Sequence, residues 1–363
     1  MRHTDLTPLL ALLCAEGVGD TTAKRLLEAF GDASSVFNAP ARLVDACAGF
    51  LLSARLKNPL LFQKAQKEAA FISRKNLSVW EYRDPDYPQR LKHCPDGPVL
   101  LYGSGAIDFS NPRVISIVGT RQITSHGIGF CQELIADLAP LQPVIVSGLA
   151  YGADITAHLA AVANNLQTIG VVAHGLDRLY PATHKKYVST ICENGGLLTE
   201  FMSKTAPMPE NFVRRNRIVA GLSEATIVIE SAEKGGSLIT AQMAASYHRD
   251  VFAVPGRPQD KLSHGCLSLI KSQQAYMLTS AADLVYLLNW EVSRSKPVQK
   301  QLFVSLEPLE QQIYDYLLKQ GRQLLDLIAV DCQLPVSRLS STLLSMELKG
   351  VIRPLPGKWF EAV

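Results

Sequence analysis

The chain has 363 residues and is 47% hydrophobic, enough length and apolar content for two to three domains with full cores. Formal net charge is only +3, and acids and bases nearly balance in head, middle and tail, so a general positive field is excluded and anion binding must come from local patches. Seven cysteines with no CxxC pair exclude a disulfide framework and fit a reducing, cytoplasmic compartment, and no apolar run reaches membrane length.

The opening M-R-H-T-D-L-T-P-L-L-A-L-L-C carries too short an apolar run for a secretory signal. Asp5 interrupts its start, and Leu13 is bulky where a lipid-anchor site needs a small residue before the cysteine. Residues 1–84 then read as short helices. Their clearest element is E-G-V-G-D-T-T-A-K-R-L-L-E-A-F-G, residues 16–31. Gly17 and Gly19 allow a tight turn, Thr21 or Thr22 can cap the following helix, and Gly31 ends it. That is a helix-hairpin-helix (or SAM-like) pattern, whose turn either approaches a phosphate or simply packs two helices. Pro85, Pro88, Pro95 and Pro98 keep long helices out of the stretch that follows.

Residues 85–290 alternate strand and helix. Strand-like runs fall at Val114–Val118, Val144–Ser147, Thr168–Val172, Leu197–Thr199, Thr226–Glu230 and Val251–Val254. Near-continuous apolar strands separated by helical segments predict a Rossmann-like, doubly wound, mostly parallel α/β sheet covered on both faces. A polar linker is expected over 291–305. Residues 306–363 then show helix signals at Pro308–Lys319, Leu324–Cys332 and Val336–Lys349, and a short hairpin turning at Pro356–Gly357. Three helices and a hairpin predict a winged-helix-like domain.

Ligands on parallel sheets sit at the carboxyl ends of the strands, so the loops there carry the argument. After Val118 come Gly119, Thr120 and Arg121; after Val146 come Ser147 and Gly148, leading to Gly152 and Asp154; after Val172 comes A-H-G-L-D-R-L-Y-P. The richest stretch is Asn211–Thr240. Phe212, Arg214, Arg215, Asn216 and Arg217 precede the strand run A-T-I-V-I-E, and Lys234, Gly235, Gly236, Ser237 and Thr240 follow it. Guanidinium, ammonium, hydroxyl and backbone N–H groups on one sheet edge suit a phosphate chain. Phe212 beside the arginines either holds an unstacked base or is a core residue under its helix. Enzyme readings lack their motifs: there is no GxxxxGK[ST] loop, no GxSxG elbow, and G-S-G-A-I-D at 103–108 lacks the third glycine of a dinucleotide fingerprint. His158, four residues after Asp154, has no His or Cys close by for a metal site. No catalytic residue, metal or cofactor is expected.

Taken together, the motifs resemble the DNA-processing protein A family (DprA/Smf). The resemblance rests on Gly119–Arg121, Ser147–His158, Gly175–Pro181, Phe212–Ser223, Glu230–Ala241 and Arg249–Gly256, in order, across 85–285. Val213, Gly235, Leu267 and Gln273 depart from the usual pattern. The resemblance implies a cytoplasmic, non-catalytic protein that binds and protects single-stranded DNA and loads the RecA recombinase onto it during natural transformation. It also implies a homodimer through the Rossmann-like domain, and a DNA pocket containing Arg121, Ser147, Gly148, Phe212, Arg215, Asn216, Lys234, Gly236, Ser237 and Thr240. The sheet is similar as well to nucleoside-monophosphate phosphoribohydrolases, but their loop is closely followed by a catalytic glutamate, and here no acid follows Thr240 before Asp250. A non-catalytic interaction scaffold is the third reading.

Overall fold

The computed structural model describes residues 5–290, 306–355 and 357–362. The linker expected at 291–305 lies outside the described residues, as does Pro356 of the expected terminal turn. The chain divides into two compact units, Met1–Trp290 and Glu291–Val363.

The first unit is built on a nine-stranded sheet. In chain order the strands are β1 (Ser78–Glu81), β2 (Leu100–Gly105), β3 (Val114–Val118), β4 (Val144–Ser147), β5 (Thr168–Val171), β6 (Gly195–Thr199), β7 (Ala225–Val228), β8 (Asp250–Ala253) and β9 (Tyr276–Met277). Across the sheet they run β1-β2-β6-β5-β4-β3-β7-β8-β9. Pairings from β6 through β9 are parallel, and β1 and β2 are added antiparallel. The chain moves one way from β3 through β4, β5 and β6, then returns to β7 beside β3 and moves the other way. The reversal places a switch-point crevice at the carboxyl ends of β3 and β7.

Strands β3 to β7 are buried on both faces, as their near-continuous apolar runs predict. Ile115, Ile117, Ile145, Ile227 and Phe252 pack with Leu134, Ile135 and Ala157 of helices Ser125–Leu138 and Ala153–Ala163. Val144, Val146, Ile169, Val171 and Val228 face the other way, toward helices Pro209–Leu222 and Gly236–Ser246. That second core is continuous with Leu10, Leu12, Leu26 and Leu27 of the helical head.

The head helix Asp20–Phe30 starts at least two residues earlier than a threonine cap requires. Gly19 is its N-cap, and Thr21 and Thr22 lie inside the helix. Gly31, at φ 88°, ends it as expected. The glycine turn ahead of it packs within the protein: the Arg55 guanidinium donates to the Glu16 carbonyl at 2.8 Å and lies against Gly17. The run at 103–108 set aside as a nucleotide fingerprint begins as the end of strand β2, where Gly103 leaves room for Trp80.

The second unit holds helices Pro308–Gln320, Leu325–Asp331 and Val336–Leu348 and a three-stranded antiparallel sheet. Its strands are β10 (Gln323–Leu324), β11 (Ile352–Leu355) and β12 (Trp359–Ala362). Ile313, Leu317, Ile328, Leu339, Leu343, Met346 and Ile352 form its core. All seven cysteines are free thiols. Among the described residues no helix is long and apolar enough to cross a membrane.

Candidate functional site

An open cavity of about 720 Å³ lies at the carboxyl edge of the parallel strands. One wall is the β3 loop. Gly119 runs so close to the helix after β4 that an added Cβ would lie 2.7 Å from the Ala153 Cβ. Thr120 is tied to Glu230 after β7, its amide donating to the Glu230 carbonyl at 2.8 Å. This leaves Arg121 exposed on the rim, its guanidinium 5.8 Å from the centre of the Phe212 ring. Tyr180 meets the same ring edge-on, 5.6 Å centre to centre. Cation, Phe212 and Tyr180 thus form one half-open cluster at the mouth.

The floor is the β4 loop. Gly148 is hemmed in by the Arg215 guanidinium and the Asp154 carboxylate, so no larger residue fits there. Asp154 accepts the amides of Gly148 and Ala150, at 3.1 and 3.2 Å. Burial raises its carboxyl above the usual range, opposed by the charge of Arg215. Arg215 donates to the carbonyls of Gly148 and Val171. Leu149, fully buried, holds a left-handed φ of 59°, and the His184 ring nitrogen bonds its carbonyl at 3.0 Å. The turn is therefore braced on several sides, consistent with a preformed site.

The third wall is the loop and helix after β7. Helix Gly236–Ser246 has Gly235 as N-cap and no side-chain cap, so the amides of Gly236 and Ser237 point out of its first turn unsatisfied by the helix. The helix dipole and these amides favour negative charge at this end. Ser237 donates to the Ser231 hydroxyl at 2.9 Å, and Thr240 is buried behind it.

Of the residues singled out in the sequence, the cavity gathers Gly119, Thr120, Arg121, Gly148, Phe212, Arg215, Asn216, Gly235, Gly236, Ser237 and Thr240. It does not gather Ser147, Arg214, Arg217 or Lys234. Ser147 is fully buried and donates to the Ile117 carbonyl at 2.6 Å, a strand-to-strand tie. Lys234 is exposed beside the third wall.

The arginine cluster separates by helical geometry. On Pro209–Leu222, residues Phe212, Arg215, Asn216 and Val219 share the cavity face at the spacing i, i+3, i+4, i+7. Arg214 and Arg217 share another face and turn toward the helical head. Both bind the Glu200 carboxylate, at 2.6 and 2.5 Å, and Asp20 of the head, at 3.1 Å each. Arg217 is 6% exposed and also donates to the Asp96 carbonyl. Both arginines are thus engaged in ion pairs, Arg217 within the protein and Arg214 with its side chain 50% exposed. Asn216 accepts from the Arg215 Nε at 3.2 Å. Phe212 is half-buried at the mouth rather than in the core.

Sequence reasoning missed Tyr180 as a site residue, although it quoted the motif containing it. An aromatic residue in a loop after a parallel strand was the available signal. It also missed the bracing role of Asp154. His158 is buried with only one ring nitrogen engaged: Nδ1 is 2.7 Å from the Thr168 hydroxyl, while Nε2 has no partner among the described residues.

Comparison with known proteins places these features in context. The family model for DNA recombination-mediator protein A matches residues 78–289, and that for the DprA winged helix domain matches 299–358. Protein Smf from Synechocystis is 29% identical over 403 residues, covering 99% of this chain and all of that protein. The structure of DNA processing protein A from Streptococcus pneumoniae matches with a TM-score of 0.65 at 31% identity, covering 79% of this chain and 98% of that one. A structure of DNA processing protein A from Helicobacter pylori, reported for its single-stranded DNA binding mode, matches with a TM-score of 0.53 at 29% identity, covering 59% and 95%.

Proposed function

Since the chain belongs to the DNA recombination-mediator protein A family, we propose that it binds single-stranded DNA in the switch-point cavity and passes the strand to a RecA-type recombinase. The finer reading is protection of incoming DNA in the cytoplasm during natural transformation. The observation that carries it is the mouth of the cavity, where Arg121, Phe212 and Tyr180 cluster on a rim shared with the helix start at Gly236 and Ser237.

Each part has a role in holding a strand. Phe212 and Tyr180 offer ring faces or edges to unpaired bases, which every base can use, so sequence preference is weak. Arg121 supplies charge to a phosphate, and the helix end at Gly235–Ser237 supplies N–H groups to another. Lys234 adds a long-range cation beside the wall. Gly119, Thr120 and Gly148 let the backbone come close. Arg215 and Ser147 act by positioning the floor, and Arg214 and Arg217 by fixing the head. Binding of this kind needs no general acid, base or nucleophile.

The test is binding and handover with the full chain. Labelled oligothymidylate should bind in a salt-sensitive way, and unlabelled single strands should compete better than duplex. Added chain should also speed assembly of a RecA filament on single strands. Equal competition by duplex, or a filament rate unaffected by the protein, would refute the respective half of the proposal.

A further inference from the structure

A second cavity, of about 520 Å³, opens at the same switch point. Its lining includes the amino end of helix Ser125–Leu138, which belongs to the opposite core from the helices of the first cavity. The loop 119–124 and the Glu230–Ser231 step separate the two. Thr124 caps the helix, its hydroxyl accepting the Gly127 amide at 3.2 Å. Thr124 in turn gives its own amide and hydroxyl to the Glu230 carboxylate, at 2.9 and 2.5 Å. The amides of Ser125 and His126 are left without an intrahelical acceptor.

An independent observation comes from the facing wall. Ser263 is the N-cap residue of helix His264–Lys271, where a serine ordinarily accepts an amide of its own helix. Here it makes no cap bond. Its hydroxyl has no hydrogen-bond partner among the described residues, although the residue is only 8% exposed, and it lines the cavity. Gly256 makes room for it, since a Cβ there would lie 2.0 Å from the Ser263 Oγ. Arg257 stands exposed at the mouth, also without a partner among the described residues. Against these, Glu230 is engaged by Thr124, and Asp260 stands on the rim. The balance suits a modest subsite rather than a stand-alone anion trap.

We propose that this cavity is a second oxyanion subsite, in which Arg257, the Ser263 hydroxyl and the open helix end of Ser125–Leu138 take a phosphate group. As a strand phosphate, it extends the path of the single strand across the switch point to the other face of the sheet, and in that form it rests on the reading above. A free nucleotide or phosphate ion is the other source of the same chemistry.

The experiment uses the full chain with Arg257→Ala and Ser263→Ala, and Arg121→Ala as the reference for the first cavity. A long labelled oligothymidylate is titrated at several salt concentrations; thymidine monophosphate and inorganic phosphate are titrated by calorimetry. Each subsite variant should weaken strand binding roughly three- to tenfold. Arg257→Ala should also lower the slope of log affinity against log salt by about 0.7. Unchanged strand binding, with a mononucleotide or phosphate signal lost in both variants, would assign the subsite to a free phosphate. Wild-type strand binding together with no such signal overturns the inference. Should Ser263→Ala lower the melting temperature, the exposed Arg257 decides alone. Arg121→Ala judges the first cavity separately, so the two readings fail independently.

Discussion

Arg121 and Arg215 both line the cavity, yet they carry different loads. Arg121 is exposed, with its guanidinium over the Phe212 ring and no ion pair among the described residues, so its charge is available to a ligand. Arg121→Ala should keep its melting temperature while lowering the slope of log affinity against log salt by about 0.7 for a single strand. Arg215 is buried and holds two carbonyls beside Asp154. Arg215→Ala leaves those groups and a buried acid uncompensated, so a stability loss of about 3–5 kcal/mol is expected in denaturant unfolding. Phe212→Ala should cost about 1–3 kcal/mol of strand affinity with an unchanged salt slope, because stacking displaces no counterion. Normal binding by a destabilised Phe212→Ala protein would mean the ring serves the core. His158 gives a pH test. Burial pushes its pKa down to about 3, with the charges of His184 and Arg215 acting in the same direction. The unfolded chain therefore binds a proton that the folded chain refuses. Its stabilising contribution is complete above the unfolded value near 6.5 and is lost as pH falls from there toward 3, by about 1.4 kcal/mol per pH unit. His158→Gln should remove that share of the acid slope, and an unaltered slope would count against it.

Helix Pro209–Leu222 shows how one element serves two purposes. Its cavity face carries the proposed ligand residues, and its other face joins the head through Arg214, Arg217, Glu200 and Asp20. Asp20 additionally accepts the Val99 amide at 2.9 Å. Asp20→Ala should therefore destabilise the first unit by about 3 kcal/mol, measured in denaturant, with strand affinity unchanged once folded. A loss of affinity without a loss of stability would instead place the head on the DNA. The central strands were legible in the sequence because short, mostly apolar runs rich in Val, Ile and Leu alternate with helical segments. β1, β2 and β9 were not: β1 and β9 are short edge strands, and the apolar start of β2 runs at once into Gly103 and Gly105. The arginine cluster was read by density, which hides the helical period that sends Arg214 and Arg217 away from Arg215.

At the scale of the whole molecule, the order of motifs along the chain revealed the family and the edge of the sheet that carries its loops. What it could not reveal was pairing at a distance, such as Asp20 with Arg217 or Tyr180 with Phe212, because such contacts exist only after folding. We expect self-association through the 85–290 domain. The sheet ends at β9, where Tyr276 and Met277 are about half exposed, at 50% and 55%, on an edge with one partner strand. The full chain should sediment as a dimer at micromolar concentration and Met277→Glu should shift it toward monomer; a monomeric wild type would end that expectation. In the proposed complex the strand lies across the mouth of the switch-point cavity. Photocrosslinking of an oligothymidylate carrying 5-iodouracil, followed by peptide mapping of the full chain, reads this directly. The prediction is attachment at Phe212 or Tyr180 that is lost when unlabelled single strand competes. Attachment confined to the head or to the helix Val336–Leu348, with neither ring labelled, would contradict it.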